Sequence, residues 1–247
     1  VYKIGVIVFI IFFLSLLLVP FFGVEIKGSK RWLDFTIIPR FQPIEFLKPF
    51  LIIFLSLVIG SRFTSNNYFK FFLSTLIVLP ILLFLVFQPD IGQTILICCV
   101  WLSLIFVSGI NLYLFNFLII IFLSILSYLV FYLPEFSYIK YRITAFFDSK
   151  SKGNYQSEKA TEAISEGGFF GKGIGEGTLN TRVPEAHTDY VISVISEEFG
   201  VFLILFILLI FLLLIFRVFK KIPLEKNNSN KLVLIGSILL IIFQVLI

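Results

Sequence analysis

Long apolar runs without a single charge set the strongest limit on how this chain can fold. The clearest of them are residues 4–24, 71–87 and 112–133. A bilayer core of about 30 Å takes roughly 20 apolar residues as a helix, but only about 10 as a barrel strand. Runs of this length can satisfy their own backbone in a membrane only as helices. The sequence therefore predicts an all-α fold, a polytopic membrane helical bundle. Its 59% hydrophobic residues agree with that class.

Apolar runs alternate with polar breaks along the whole chain, and we interpret residues 1–247 as a single transmembrane domain. The predicted spans are 4–24, 42–61, 71–87, 93–108, 112–133, 190–216 and 232–247. Within the second span, Glu45 and Lys48 are three residues apart and should face each other on a helix. Residues 134–188 form the longest polar loop. Because the chain starts with Val1 and stops inside an apolar run, we expect it to be part of a longer membrane protein.

Alternation of the spans sorts the charged residues onto two sides. One side carries Glu225 and a set of basic residues: Lys3, Arg62, Lys70, Arg217, Lys220, Lys221, Lys226 and Lys231. The positive-inside rule assigns this side to the cytoplasm. The polar loops 25–40 and 134–188 then lie outside. The first of them is also basic, against the rule, and an anionic substrate on the outer side would explain that excess.

A cluster of glycines between residues 167 and 177 resembles a phosphate-binding loop but matches neither common pattern. A P-loop has Ser or Thr after its lysine, whereas Lys172 is followed by glycine. The spacing also departs from the dinucleotide-binding pattern. We predict a tight surface turn packed on the helix before it, whose amides could still cradle a diphosphate. That helix is predicted over 155–166, with Ala160 and Ile164 on its apolar face.

The stretch 182–190 brings three ionisable side chains to the edge of a predicted span, where such groups are functional candidates by default. They are Glu185, His187, the single histidine of the chain, and Asp189. A hydrolytic triad is disfavoured because no serine stands in a nucleophile elbow. A metal site is disfavoured because it needs three protein ligands, commonly His or Cys. Structural roles stay open, with His187 a hydrogen-bonded interfacial residue and Asp189 a helix N-cap.

A polar stripe continues from Asp189 into the following helix. Ser193, Ser196 and Glu197 follow it at i+4, i+7 and i+8, which is one helical face. In a membrane helix such a face must meet protein or a wet cavity. The positive end of the helix dipole at its N-terminus would also favour an ionised Asp189, as a general base requires.

Five stretches, in this order, resemble the FtsW/RodA family, which is also called SEDS for shape, elongation, division and sporulation. They are 27–32 (KGSKRW), 42–48 (QPIEFLK), 88–92 (QPDIG), 155–173 with its closing GFFGKG, and 184–200 with PEAHTD. Ala186 and the Gly-Glu-Gly-Thr at 175–178 look more like the division branch, FtsW, than the elongation branch. The family fold has ten transmembrane helices, of which this chain would contain about seven, with 134–188 as a large extracytoplasmic loop.

The resemblance implies a peptidoglycan glycosyltransferase of the bacterial cytoplasmic (inner) membrane. Such an enzyme polymerises lipid II into glycan strands at the outer face during septal cell-wall synthesis and cell division. Its implied partners are lipid II, a class B penicillin-binding protein (a transpeptidase) and other divisome proteins, with no nucleic acid. A lipid II flippase and a non-catalytic divisome scaffold remain alternatives, since each would use the same polar stripe or the same binding surfaces.

The family's catalytic aspartate matches Asp189, which would act as the general base on the acceptor 4-hydroxyl. The departing lipid diphosphate needs positive charge, for which arginine is the better partner and lysine a point charge. The candidate substrate-binding residues are Lys27, Arg31, Lys48, Arg142, His187 and Glu185. We predict no protein-bound metal or other cofactor, although a divalent cation with the diphosphate could share the charge.

Overall fold

The computed structural model describes residues 2–26, 29–35, 38–61, 66–137, 140–141, 155–177 and 191–246. The chain divides into two compact units. The first comprises Val1–Ser124 and Val218–Ile247, and the second comprises Ile125–Arg217. In chain order the helices are α1 (Tyr2–Phe22), α2 (Pro43–Gly60), α3 (Asn67–Phe87), α4 (Ile91–Val107), α5 (Leu112–Tyr132), α6 (Tyr155–Gly167), α7 (Val191–Phe199), α8 (Val201–Lys221) and α9 (Asn228–Leu246).

Within the described ranges, six helices are long and apolar enough to cross a membrane: α1, α2, α3, α5, α8 together with the short 3-10 turn after it, and α9. Helix α4 is also apolar but shorter. These helices confirm the predicted all-α membrane bundle. They also match the predicted spans closely, except between residues 190 and 216.

The core of the first unit lies between α1, α2, α3, α4 and α9. Helix α2 shows why these sequences pack: Ile44, Leu47, Leu51 and Leu55 recur at helical spacing and are almost completely buried. Since lipid tails are as apolar as leucine, helices in a bilayer associate mainly through close packing around small residues. At Gly60 on α2, an added Cβ would lie 2.6 Å from Oγ of Ser229 on α9, so the backbones of α2 and α9 approach closely there.

The segment predicted as the polar loop 25–40 instead folds into a three-stranded antiparallel sheet. Its strands are β1 (Gly23–Ile26), β2 (Ser29–Phe35) and β3 (Ile38–Phe41), in the order β1-β2-β3. Leu33 of β2 is buried, and Arg40 donates to Asp34 at 2.9 Å. The loop prediction was wrong because charged side chains on the exposed face concealed the alternation of a half-buried strand.

The predicted single span 190–216 is two helices. Helix α7 ends at Phe199 and α8 begins at Val201. The residue between them, Gly200, has a φ of 80°, which side chains with a Cβ rarely adopt. Its N–H closes the last turn of α7 by donating to the Ser196 carbonyl at 2.9 Å. The apolar composition runs on through this break, so hydropathy alone could not place it.

Contacts at the two ends of the first unit agree with the predicted alternation of its spans. At one end, Arg31 of β2 bonds to the Gln88 carbonyl in the turn between α3 and α4. At the other, the Tyr2 hydroxyl at the start of α1 donates to Asn230 at the start of α9. The sheet and the α3–α4 turn therefore share one end of the unit, as the sequence predicted.

Candidate functional site

A connected set of polar side chains joins β2, the α3–α4 turn, α2 and α9 in the first unit. It begins at Arg31, whose guanidinium donates through Nε to the Gln88 carbonyl at 3.1 Å and through Nη2 to the Pro89 carbonyl at 2.5 Å. Its Nε also lies 3.8 Å from Oδ2 of Asp90. These contacts attach the sheet to the α3–α4 turn through one planar cation.

Asp90 is the mostly buried carboxylate of this network and caps α4. Its Oδ1 accepts from the Gln93 backbone N–H at 3.4 Å, which satisfies one of the free donors at the helix N-terminus. Its Oδ2 accepts from Nε2 of Gln42 at 3.2 Å. Burial raises the pKa of the Asp90 carboxyl, while the Arg31 charge and the two hydrogen bonds act in the opposite direction. Asp90 thus holds three elements together at one carboxylate.

Lys48 is a buried cation, with 2% of its side chain exposed. Its Nζ lies 2.7 Å from Oε2 of Glu45, as the i,i+3 spacing predicted, and donates to Oε1 of Gln244 on α9 at 2.8 Å. The other oxygen of Glu45 accepts from Nε2 of Gln93 at 2.6 Å. A buried ammonium group is tolerated only when it is paired and hydrogen-bonded in this way.

The structure places two of the predicted substrate-binding residues, Arg31 and Lys48, in one network. The other predicted residues, Lys27, Arg142, Glu185, His187 and Asp189, lie outside the described residues. The sequence analysis did not single out Gln93 or Gln244. The sequence could have pointed to both, because each is an isolated amide in an apolar helix, and a buried amide needs a polar partner.

In the second unit, the stripe predicted to continue from Asp189 is buried. Ser193, Ser196 and Glu197 of α7 have 2%, 0% and 0% of their surface exposed. Helix α7 packs against α6, so the stripe faces protein, which was one of the two predicted environments. Oγ of Ser196 is buried and has no hydrogen-bond partner among the described residues.

The glycine-rich turn after α6 is fastened to the end of α7. Lys172 binds the carboxylates of Glu166 and Glu197, and its Nζ is 3.2 Å from Oε1 of Glu197. Its backbone N–H donates to the Glu197 carbonyl at 2.9 Å, and that of Gly173 to the Glu198 carbonyl at 3.0 Å. Hydrogen bonding to Glu166 is the main reason that the pKa of Lys172 is raised. The turn follows α6 directly in the sequence. It packs on α7, which comes later in the chain, through these bonds to Glu197 and Glu198.

The same backbone bonds limit what the glycine-rich turn can bind. The N–H groups of Gly171 and Glu176 donate to the carbonyls of Gly167 and Gly173, in addition to the two bonds made to α7. An anion cradle needs amides that point outward and lack partners. These four amides are used within the protein and are not free to cradle a diphosphate, so for the remaining amides of the turn such a role stays a prediction.

Helix α6 forms where it was predicted, but of the two residues predicted to form its apolar face Ile164 is not buried, and the side chain of Ala160 lies outside the described residues. Ala163 and Gly167 are buried against α7, and an added Cβ at Gly167 would lie 2.0 Å from the Ser196 carbonyl oxygen. Ile164, which was predicted to share the apolar face, is 36% exposed. The backbones of α6 and α7 approach closely here, which only small residues allow. This close approach, and not the hydrophobicity of the side chains, determines which residues of α6 are buried.

The described residues contain no group of three or more His, Cys, Asp and Glu side chains arranged to hold a metal ion. Two clusters of buried charged side chains stand out among the described residues: the network around Asp90 and Lys48, and Glu197 of α7 with Lys172. Both consist of paired charges on helices and on neighbouring strands or turns, and ionisable groups at such places in a membrane protein are functional candidates.

Comparison with known proteins identifies the group to which this architecture belongs. The family model for cell cycle proteins of the FtsW/RodA/SpoVE type matches residues 1–247. The chain belongs to the FtsW/RodA/SpoVE family. The resemblance read from the sequence is thereby confirmed. Together with its apolar helices, this membership makes the chain a multi-pass protein of the bacterial cytoplasmic membrane.

Curated members of the FtsW/RodA/SpoVE family are similar over most of this chain. A protein of Nitrosomonas europaea named probable peptidoglycan glycosyltransferase FtsW is 35% identical over 85% of this chain and 55% of its own length. A protein of Caulobacter vibrioides with the same name is 32% identical over 74% of this chain and 46% of its own length. The chain thus spans about half the length of these relatives.

Solved structures of FtsW/RodA/SpoVE proteins share the fold. A chain from a structure described as the structural coordination of polymerization and crosslinking by a peptidoglycan synthase complex is 25% identical, with a TM-score of 0.69 over 99% of this chain and 69% of that chain. The rod shape determining protein RodA of Thermus thermophilus is 24% identical, with a TM-score of 0.64 over 99% of this chain and 64% of that chain.

Proposed function

We propose that this protein is part of a peptidoglycan glycosyltransferase that polymerises lipid II into glycan strands at the outer face of the cytoplasmic membrane during septal cell-wall synthesis. The observation that carries the proposal is the similarity, at 32–35% identity over most of this chain, to proteins named peptidoglycan glycosyltransferase FtsW. The buried polar stripe of α7 supports it, because that stripe continues in sequence from the aspartate that matches the family's catalytic position.

The reaction joins the acceptor 4-hydroxyl to the anomeric carbon of the donor sugar and releases the lipid diphosphate. A neutral hydroxyl is a weak nucleophile, so a base must take its proton as the bond forms. We assign that role to Asp189. In the sequence it stands two residues before Val191, the first residue of α7, and a helix N-terminus favours nearby negative charge. Glu185 and His187 precede it by four and two residues, and we assign them to binding and orienting the substrate.

The leaving diphosphate must be stabilised by positive charge. We assign this to Lys27, Arg31, Lys48 and Arg142, among which the arginines offer planar donor pairs to phosphate oxygens. Arg31 and Lys48 are held by carboxylates and amides in the network around Asp90. Because each of these cations is paired with a carboxylate, the network adds no net positive charge; it instead fixes the positions of the two side chains, so that little reorganisation is needed when a phosphate oxygen approaches. A divalent cation brought in with the lipid diphosphate would share this task.

The proposed partner is a class B penicillin-binding protein, which would cross-link the glycan strands that this protein makes. The support is the fold similarity to a chain from a peptidoglycan synthase complex that coordinates polymerization and crosslinking. Other divisome proteins would recruit the pair to the septum, in keeping with the division-branch motifs of the sequence.

The test is polymerisation of pre-extruded lipid II by the full-length protein, purified with its transpeptidase partner, as the parent and as Asp189→Asn. Asparagine caps helices about as well as aspartate, so the variant should fold and bind its partner. Its polymerisation rate should fall by roughly 10² or more, the usual contribution of a positioned base. Asp34→Asn is the matched control, because that carboxylate is exposed and pairs only with Arg40 among the described residues; its rate should stay at the parental level.

The outcomes separate the alternatives. Parental polymerisation by a well-folded Asp189→Asn protein would falsify the base assignment. A parent protein that moves lipid II across a bilayer but does not polymerise it would be a flippase. A parent protein that does neither, yet retains its partner, would be a scaffold.

A further inference from the structure

The glycine-rich turn caps the start of α8. The first N–H groups of any helix have no partner within the helix. Here the N–H of Val201 donates to the Gly168 carbonyl at 2.9 Å, and that of Phe202 to the Phe169 carbonyl at 3.4 Å. An added Cβ at Gly200 would lie 2.3 Å from the same Phe169 oxygen, so the two backbones are in direct contact. The turn is therefore fixed at the level of the first turn of α8.

Two phenylalanines at the tip of this turn are exposed. Phe169 and Phe170 have 69% and 84% of their surface accessible. Both rings nevertheless touch the same aromatic side chain at the start of α8: their centroids lie 5.8 Å and 5.3 Å from that of Phe202. The exposed rings thus stand beside the helix and form a cluster with its first aromatic side chain, Phe202.

Below this cluster, one apolar face runs down α8. Phe202, Leu205, Phe206 and Leu209 follow at i, i+3, i+4 and i+7, which is a single helical stripe, and each is at least half exposed. Helix α8 has the highest mean hydropathy of the candidate spans, and none of the residues in its most apolar stretch is buried. An exposed apolar stripe on a helix of this length is typical of a surface that faces acyl chains, and Phe169 and Phe170 extend it past the end of the helix.

We propose that the turn carrying Phe169 and Phe170 is inserted into the bilayer interface next to the N-terminal end of α8. The recognised partner is the lipid surface, at the boundary between headgroups and acyl chains. Aromatic and apolar side chains at that depth bury their rings among the lipids while the turn's polar backbone stays satisfied by α7 and α8. The inserted turn would hold α6 and α7 at the membrane surface. This role does not depend on whether the protein is a glycosyltransferase.

The experiment is site-directed spin labelling of the full-length protein in lipid nanodiscs. Cys98 and Cys99 are first replaced by alanine, and single cysteines are introduced as Phe170→Cys, Leu209→Cys and Glu162→Cys. Leu209 marks the lipid-facing stripe, and Glu162 marks an exposed, charged position on α6. Collision with oxygen, which concentrates in lipid, is compared with collision with a water-soluble nickel complex.

The expected result at position 170 is an oxygen-to-nickel accessibility ratio severalfold above that at 162 and close to that at 209. A ratio as low as that at position 162 would place the turn in water and overturn the proposal. Protection from both reagents would also overturn it, because the rings would then be covered by protein, either another part of the full-length chain or a partner. Phe169→Cys gives a second reading from the neighbouring side chain, so the result does not depend on one label.

Discussion

The ammonium group of Lys172 lies 3.2 Å from Oε1 of Glu197, a carboxylate with no exposed surface. Lys172 comes from the glycine-rich turn, and Glu197 from the helix that follows the proposed catalytic aspartate. Their backbones are joined as well, through the Lys172 N–H and the Glu197 carbonyl. A buried charge that loses its partner is strongly destabilising, whereas an exposed pair contributes little.

We therefore expect Lys172→Met to lower the midpoint of thermal unfolding, because Glu197 would stay buried without this compensating charge. Glu166→Gln removes the other, exposed carboxylate bound by Lys172 and should change the midpoint much less. The double variant Lys172→Met/Glu197→Gln should recover part of the loss, since contacting residues are not additive. Equal effects of Lys172→Met and Glu166→Gln would show that the buried contact does not contribute. Unfolding of the purified full-length protein in detergent measures all three.

Gly200→Ala should destabilise the protein more than Gly109→Ala. Both glycines have positive φ, 80° and 86°, so each alanine carries a conformational cost of roughly 1–2 kcal/mol. Only at Gly200 would the new Cβ also meet backbone atoms, at 2.3 Å and 2.5 Å, while at Gly109 it would meet nothing within 4 Å. The difference in unfolding midpoint between the two variants isolates the steric contact. Equal midpoints would mean that α7, the turn and α8 can separate freely.

Two substitutions of Arg31 separate its contribution to stability from its proposed contribution to substrate binding. Both Arg31→Lys and Arg31→Ala lose the bridge to the Gln88 and Pro89 carbonyls, so each should cost about 1–3 kcal/mol of stability. Lysine keeps the charge, so under the diphosphate assignment Arg31→Ala should raise the KM for lipid II more than Arg31→Lys does. Unfolding in detergent and steady-state polymerisation by the full-length protein give the two readings. If both variants polymerise at parental rates, Arg31 serves only to hold the sheet on the α3–α4 turn.

Asp90 should make stability depend on pH. Because burial raises the pKa of its carboxyl, the folded protein holds the proton more tightly than the unfolded chain does. The contribution of this carboxyl to the free energy of unfolding is therefore greatest below its unfolded pKa of about 3.9. That contribution is lost as the pH rises through the pKa of the folded state. Asp90→Asn keeps a capping side chain but cannot titrate, so its stability relative to the parent should increase from acid to neutral pH.

Thermal unfolding at a series of pH values checks this, with Asp34→Asn as a control for the loss of one negative charge. A stability difference between Asp90→Asn and the parent that stays constant with pH, or falls, would contradict the expected direction.

Local spacing was enough to predict much of the candidate site. The i,i+3 separation of Glu45 and Lys48 predicted a pair that the structure contains. The i+4, i+7 and i+8 positions after Asp189 predicted a stripe that is buried on α7. Both inferences needed only the helical repeat, which is set by the backbone and does not depend on the rest of the fold.

The features that could not be predicted depend on tertiary contacts. Gln244 is separated from Lys48 by most of the chain, so no local pattern could join them. The break at Gly200 lies in an apolar run, and only its contacts with the glycine-rich turn show why the helix stops there. The strand β2 carries charges on its exposed face, so its identity rests on pairing with β1 and β3 rather than on its own composition.

Helices α2 and α9 are fastened to each other at both ends. Lys48 bonds to Gln244 at one end, and the backbone at Gly60 rests against Ser229 at the other. Sliding one helix past its neighbour by a turn, about 5.4 Å, would break the first contact and drive side chains into the second. We therefore expect the two helices to move together rather than to slide past each other. Under the proposed function, we expect a rearrangement that admits a lipid-linked sugar or releases a growing strand to occur at the other boundaries of this pair.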